Sequence, residues 1–283
     1  MACRTVRTHM SWLLDERTEL ESLGAGRYRR EIDDGEFWGT GSPFGGYLMA
    51  LGFAAMRREV TDAARLPRIY THQFLRRVPV GPLEIDVTTE RIGALVHSLT
   101  ARFLAGEDTV GIATGMFTGD REGPDYLDEP MPKVAPPTEP EGTPVPGWAT
   151  NVHGRFVPHR RFGDDGAVVP NEDGGWLRMV EPGAWDHRLA LICSDVWPPP
   201  VIRHPDRMCA TPSLHHVVHF GPAVGGTADQ ALLVRHRATR GHGGLTDEDI
   251  TLWADDGRIL LKARQLRTVV DLSRIDTSSF TGE

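Results

Sequence analysis

A chain of 283 residues, 40% hydrophobic and 25% charged, has room for one large domain or two ordinary ones and the balance of a soluble globular protein. Its 39 acidic against 31 basic residues give a net charge of −8, which argues against a nucleic-acid partner. Three cysteines are too few for a disulfide framework and point to a reducing cytoplasm, and no apolar run is long enough for membrane insertion or a signal peptide.

The first ten residues read as an unstructured extension, and residues 12–38 as a mixed leading segment of helix or strand. Gly39 to Val60, GTGSPFGGYLMALGFAAMRREV, predicts a helix capped by Ser42 and begun by Pro43. It is apolar nearly all round from Tyr47 to Met56, so it should be buried. Phe44 stands where a G-x-G-x-x-G loop needs its third glycine, which excludes a dinucleotide site. Gly45 and Gly46 permit close approach to the start of this helix. From Ile69 to Thr118 the pattern becomes a meander. Leu83, Ile85 and Val87 alternate with polar residues, and Gly106-Glu107-Asp108 joins two further strands. Eight prolines between Gly119 and Gly147 mark an extended linker.

After a leading segment (Asn151 to Val180) the second part repeats this order. A helix over 184–196 has Pro182 near its start, Asp186 in its first turn, and a stripe of Trp185, Leu189, Ile192, Cys193 and Val196. Pro198, Pro199 and Pro200 stop it. Strands follow at about 213–220, 228–239, 247–254 and 258–269, with a turn at Asp255-Asp256-Gly257. The chain therefore divides into residues 1–118, a linker at 119–150, and residues 151–283.

Three polar residues of the second copy stand where apolar ones are expected. Asp195 lies in the last turn of its helix, where the dipole and the apolar neighbours both disfavour a carboxylate. Ser213 alternates with His215, Val217 and His219, and Gln265 with Ile259, Leu261 and Ala263, while Lys262 and Arg264 face away. Taken singly, Ser213 and Gln265 read as structural, and Asp195 equally as a surface carboxylate at a frayed end or as a base. Matched across the repeat, they fall opposite Ala55, Pro67, and Gly115 or Met116. The first copy lacks all three polar groups, which favours one working site in the second. His204, His215, His216, His219, His236 and His242 show no metal-ligand spacing, so neither a metal nor a cofactor is expected. Cys193, on the apolar stripe, reads as core.

Five segments in order, SPFGGYLMALGFAAMRR, HQFLRRVPVGPLEIDV, LALICSDVWPPP, SLHHVVHFGP and WADDGRILLKARQL, are similar to the double-hotdog acyl-CoA thioesterases of type II. The resemblance covers most of residues 35–271. It implies an α+β double hotdog, two antiparallel sheets each wrapped around a central helix. It also implies an acyl-CoA substrate and a catalytic Asp, hydroxyl and Gln, which map to Asp195, Ser213 and Gln265. The hydroxyl is often Thr in the family, and Thr211 is the competing position. Phe44, Gly45, Gly46, Trp185 and Thr211 are the expected substrate contacts. Exposed sheet edges favour a homo-oligomer. A non-catalytic acyl-thioester binder is the alternative, and a hotdog hydratase is disfavoured because no His follows Asp195 until His204.

Overall fold

A computed structural model describes residues 13–33, 42–124, 126, 129–134, 143–144, 155–158, 171–177, 185–203, 209–222, 224 and 231–271. The N-terminal extension, Pro182, Gly183, His204 and most of the linker and of the segment 151–180 lie outside these residues. In order, the elements are α1 (Leu13–Arg17), β1 (Glu21–Gly24), β2 (Arg27–Ile32), α2 (Gly45–Glu59), β3 (Leu66–Phe74), β4 (Gly81–Ile92), β5 (Val96–Ala105) and β6 (Asp108–Thr118). There follow β7 (Thr143–Pro144), β8 (Arg155–Pro158), β9 (Glu172–Leu177), α3 (His187–Val196), β10 (Cys209–Ala210) and β11 (Ser213–Phe220). Last come β12 (Leu232–His242), β13 (Leu245–Ala254), β14 (Ile259–Thr268) and β15 (Val270–Asp271).

α2 is buried along most of its length, Gly46 to Met56, as its all-round apolar sequence requires. Its start differs from expectation. Phe44 is the N-cap and offers no side-chain acceptor, while Ser42 Oγ is engaged with the main chain of Val78. α3 begins later than expected, because Asp186 is its N-cap and accepts from the N–H groups of Arg188 and Leu189 at 2.8 and 3.1 Å. Trp197 ends α3 just before the proline run.

Thirteen of the described strands form one antiparallel sheet in the order β1-β2-β4-β5-β6-β3-β11-β14-β13-β12-β9-β8-β7, and β10 pairs with β15 apart from it. The pairing of β3 with β11 joins the two halves, with His72 directly opposite His216. This is the double hotdog: each half wraps its strands about one helix, and the two helices pack against each other in opposite directions. The start of α2 meets the end of α3. A Cβ on Gly46 would stand 2.8 Å from Ile192 Cα, so only glycine allows this approach. At the other end Phe53 stacks on His187 at 5.6 Å. One apolar core spans both helices and both half-sheets. A smaller cluster of Trp176, Ala231, Leu233 and Trp253 lies apart from it, covered by Met131 and Val134 of the proline-rich segment. Glu129 ties that segment to Arg235 and Lys262.

Two irregularities in each half's ladders align the halves. The β4–β5 register slips between Thr89 and Arg91, and the β12–β13 register between Ala238 and Arg240. The β3–β6 register slips between Pro67 and Ile69, and the β11–β14 register between Ser213 and His215. Superposing these bulges puts Val87 on His236, Leu99 on Glu248, Gly115 on Gln265, Phe117 on Arg267 and Pro67 on Ser213.

Candidate active site

The site forms where the end of α3 touches the start of α2 and the ends of β11 and β14. Asp195 is 3% exposed. Its Oδ2 accepts from the Gly46 N–H at 3.0 Å, which supplies across the helix pair the cap that Phe44 lacks. The residue therefore lies at the unfavourable end of its own helix and at the favourable end of α2, where unpaired N–H groups and the dipole attract an anion. Polar partners from β14 meet it as well. Oδ1 accepts from Gln265 Nε2 at 2.8 Å and from Arg267 Nη2 at 2.6 Å.

Ser213 does not share the face of His215, Val217 and His219. The buried face of β11 is that of His216, Val218 and Phe220. The bulge at Leu214 reverses the alternation and turns Ser213 inward. There its Oγ accepts from Gln265 Nε2 at 2.7 Å and from Arg267 Nη1 at 3.3 Å. Asp195, Ser213 and Gln265, far apart in sequence, thus form one bonded cluster.

Sequence reasoning missed the hub. Arg267 engages all five of its N–H groups: two reach Asp195 Oδ1 and Gln265 Oε1, two reach Ser213 Oγ and the Thr211 carbonyl, and Nε reaches Glu248 Oε2 at 2.9 Å. Glu248 Oε2 also meets His236 Nε2 at 2.9 Å. Burial works to raise the Glu248 carboxyl, but its bond to His236 and the charges of His236 and Arg267 bring it below the usual range. A signal was available, since Arg267 continues the alternation of Ala263 and Gln265, and Glu248 and His236 stand on the buried faces of β13 and β12. A histidine does approach Asp195: His216, fully buried, bonds Ser194 Oγ at 3.3 Å, and burial lowers it to about 4.

A cavity of about 440 Å³ opens onto the cluster, lined by Asp195, Ser213 and Arg267. Phe44, Gly45 and Thr211 line it, as do Arg76 and Arg77. Gly46 and Gln265 lie behind the surface. The glycines admit a helix rather than a ligand alone: a Cβ on Gly45 would meet Asp195 Oδ2 at 2.6 Å. Trp185 is misplaced in the sequence reading. It is buried at the opposite end of α3, about 15 Å of helix from Asp195, and it does not line the cavity. Cys193 is core, and burial pushes its thiol well up. Among the described residues no cluster of His, Cys, Asp and Glu could hold a metal ion, and no helix is long and apolar enough to cross a membrane.

Residues 35–118 match the family described as acyl-CoA thioesterase N-terminal domain, and residues 130–269 the one described as acyl-CoA thioesterase C-terminal domain. Among solved structures, a hot dog-fold protein of unknown function from Alicyclobacillus acidocaldarius is similar at 24% identity and a TM-score of 0.79, over 92% of this chain and 98% of that one. Acyl-CoA thioesterase II of Mycobacterium marinum is similar at 20% identity and 0.75, over 91% and 98%. A tesB protein of Mycobacterium avium subsp. paratuberculosis is similar at 18% and 0.71, over 90% and 97%. No curated protein matches the sequence significantly.

Proposed function

This chain belongs to the acyl-CoA thioesterase family and is a thioester hydrolase, and we propose that it cleaves an acyl-CoA at the Asp195 cluster with one activated water and no covalent intermediate. What carries this reading is the pattern of committed and uncommitted hydrogen-bonding groups. Gln265 gives both amide protons to Asp195 and Ser213 and accepts from Arg267. Ser213 Oγ accepts twice, so its own proton must be donated elsewhere, and the cavity is the open side. Asp195 Oδ1 is doubly occupied, whereas Oδ2 has only the Gly46 N–H among the described residues. A water that accepts from the Ser213 hydroxyl and donates to Asp195 Oδ2 is held against a thioester in the cavity.

As the water oxygen attacks the carbonyl carbon, Asp195 takes its proton. The oxyanion meets the start of α2, where the Gly45 N–H has no acceptor within the helix. Collapse of the tetrahedral intermediate breaks the C–S bond, and the proton on Asp195 passes to the leaving sulfur. The products are a free thiol and a carboxylic acid. Arg76 and Arg77, which line the cavity, are placed for the coenzyme A phosphates. The proposal keeps residues 1–118 as a catalytically silent half, 119–150 as linker and 151–283 as the working half, in a cytoplasmic homo-oligomer with no cofactor.

The test is release of free thiol from a panel of acyl-CoA esters by the wild type and Asp195→Asn. The variant should lose on the order of 10²–10⁴ in turnover while still binding acyl-CoA. Ser213→Ala and Gln265→Ala should each slow hydrolysis, and together less than additively, because they act on one water. Normal hydrolysis by Asp195→Asn rejects the site.

A further inference from the structure

We infer that Arg267, anchored from behind by Glu248 and His236, is the positioning residue that decides which atoms of the cluster face the substrate. The inference rests on the hydrolytic reading of the cluster given above. Arg267 touches no substrate through a free donor, since its five N–H groups are all engaged within the protein. Each bond removes one degree of freedom from a neighbour. The bond to Gln265 Oε1 fixes which end of the amide is the donor, because a rotated amide would set NH₂ against a guanidinium. The bond to Ser213 fills an acceptor position and leaves the hydroxyl proton to the cavity. The bond to Asp195 Oδ1 leaves Oδ2 as the atom that meets water.

A guanidinium 7% exposed needs its own partner away from the cavity. Glu248, fully buried, is that partner, and it is held in turn by His236 Nε2 and by Thr246 Oγ1 at 3.3 Å. His216, on β11, is a further titratable group beside Asp195, and it bonds Ser194 rather than this chain of charges.

The first half shows that the fold does not require the device. The matching positions hold Val87, Leu99 and Phe117, buried at 8%, 1% and 1% exposure. A buried ionic chain is a weak source of stability compared with such a trio. Its occurrence only beside the carboxylate ties it to Asp195 and Ser213.

The experiment grafts the first half's residues into the second. The variant His236→Val/Glu248→Leu/Arg267→Phe, with Arg267→Gln beside it, is measured in the full chain for thermal unfolding and for kcat and KM of thiol release. The triple variant should fold with a cooperative transition. Its kcat should fall on the order of 10²-fold, as for a misplaced reacting group, while KM stays within about threefold. Adding Ser213→Ala to it should cost nothing further, since the serine proton is no longer directed. In Arg267→Gln kcat should likewise fall while KM holds, because the amide offers two donors where the guanidinium offers five. If the triple variant instead fails to fold, Arg267→Ala assayed with added guanidinium decides. Recovered turnover supports positioning, and a loss that guanidinium does not repair overturns it. A folded triple variant with wild-type kcat overturns it as well. Asp195→Asn run in parallel separates the two ideas. If that variant is inactive while the triple is normal, only the role of Arg267 falls; if it is active, the hydrolytic site falls first.

Discussion

Where the second half buries His236, Glu248, Gln265 and Arg267, the first buries Val87, Leu99, Gly115 and Phe117 at the same strand positions. The bulges beside these residues coincide, so one backbone accepts either set. The comparison teaches that this polar cluster is not needed to close a hotdog. Packed hydrophobic residues do so in the first half, where Gly115 leaves room for Met56, its sulfur 2.7 Å from where a Cβ would stand. At the symmetry-related end of the helix pair, Pro67 replaces the serine, and Arg188 is engaged with Asp186, Asp15 and Thr18. The two halves differ in chemistry far more than in shape.

The largest effect expected reaches both halves through their seam. His72 and His216 face each other across β3 and β11, both buried, and burial lowers them to about 3 and about 4. Tyr70 and Ser194 bond these rings, and neither offers a negative charge. The fold therefore keeps both rings neutral while the unfolded chain takes up protons below its ordinary pKa near 6.5. Stability from these two groups is complete above that pH and declines as the pH falls toward 4, by roughly 1.4 kcal/mol per unit for each histidine at the steepest. Denaturant midpoints measured from pH 7.5 to 4.5 should fall accordingly, and His72→Phe should flatten the fall. A stability constant over that interval would falsify the account.

Next in size is an attempt to make the first half resemble the second. Ala55, fully buried, is the position that the sequence repeat sets opposite Asp195, whereas matching the helix caps Phe44 and Asp186 sets Phe53 there. Ala55→Asp puts an uncompensated carboxylate into the apolar core, and should cost about 3–5 kcal/mol without adding hydrolysis. A doubled rate per chain would break the comparison. Smaller again are the two glycines at the start of α2. Gly46→Ala would press on the Ile192 backbone at 2.8 Å and should cost about 1–3 kcal/mol. Gly45→Ala would press on the Asp195 carboxylate, a movable group, so turnover should fall about tenfold or more with little change in melting temperature. Equal effects on stability would mean that the carboxylate is as rigid as the helix backbone.

Periodicity carried the reading where each element obeys its own rule. The buried run of α2, the proline stop after α3 and the alternation of Gln265 with Leu261 and Ala263 were all legible. Ser213 was placed on the wrong face, since a one-residue bulge leaves no mark in composition and reverses every side chain beyond it. Ser42 looked like a cap because it precedes a helix, yet the acceptor comes from Asp195, 149 residues away. No local pattern encodes that. Arg267 was within reach, being two residues past Gln265 on the same face, but an arginine near a strand end ordinarily reads as solvated. Trp185 shares the stripe of Asp195's helix, and a stripe does not say which end meets the cavity.

The smallest effect expected concerns Thr211, the other hydroxyl at the cavity. Thr211 lines it, and its carbonyl accepts from Arg267 Nη1 at 3.2 Å. Its hydroxyl makes no hydrogen bond among the described residues, whereas Ser213 Oγ accepts from both Gln265 and Arg267. A main-chain carbonyl survives any change of side chain, so Thr211→Val removes the hydroxyl and keeps the contact. Stability should then change by less than about 0.5 kcal/mol, as at sites whose side chain holds nothing. Turnover should stay within about threefold, the range left when no group acting on the reacting atoms is lost. Ser213→Ala, two residues further on, removes the hydroxyl bonded to both Gln265 and Arg267 and should cost more. Equal losses from the two variants would divide the positioning of water between them. A loss confined to Thr211→Val would transfer the role to Thr211 and leave Ser213 as a structural link between Gln265 and Arg267.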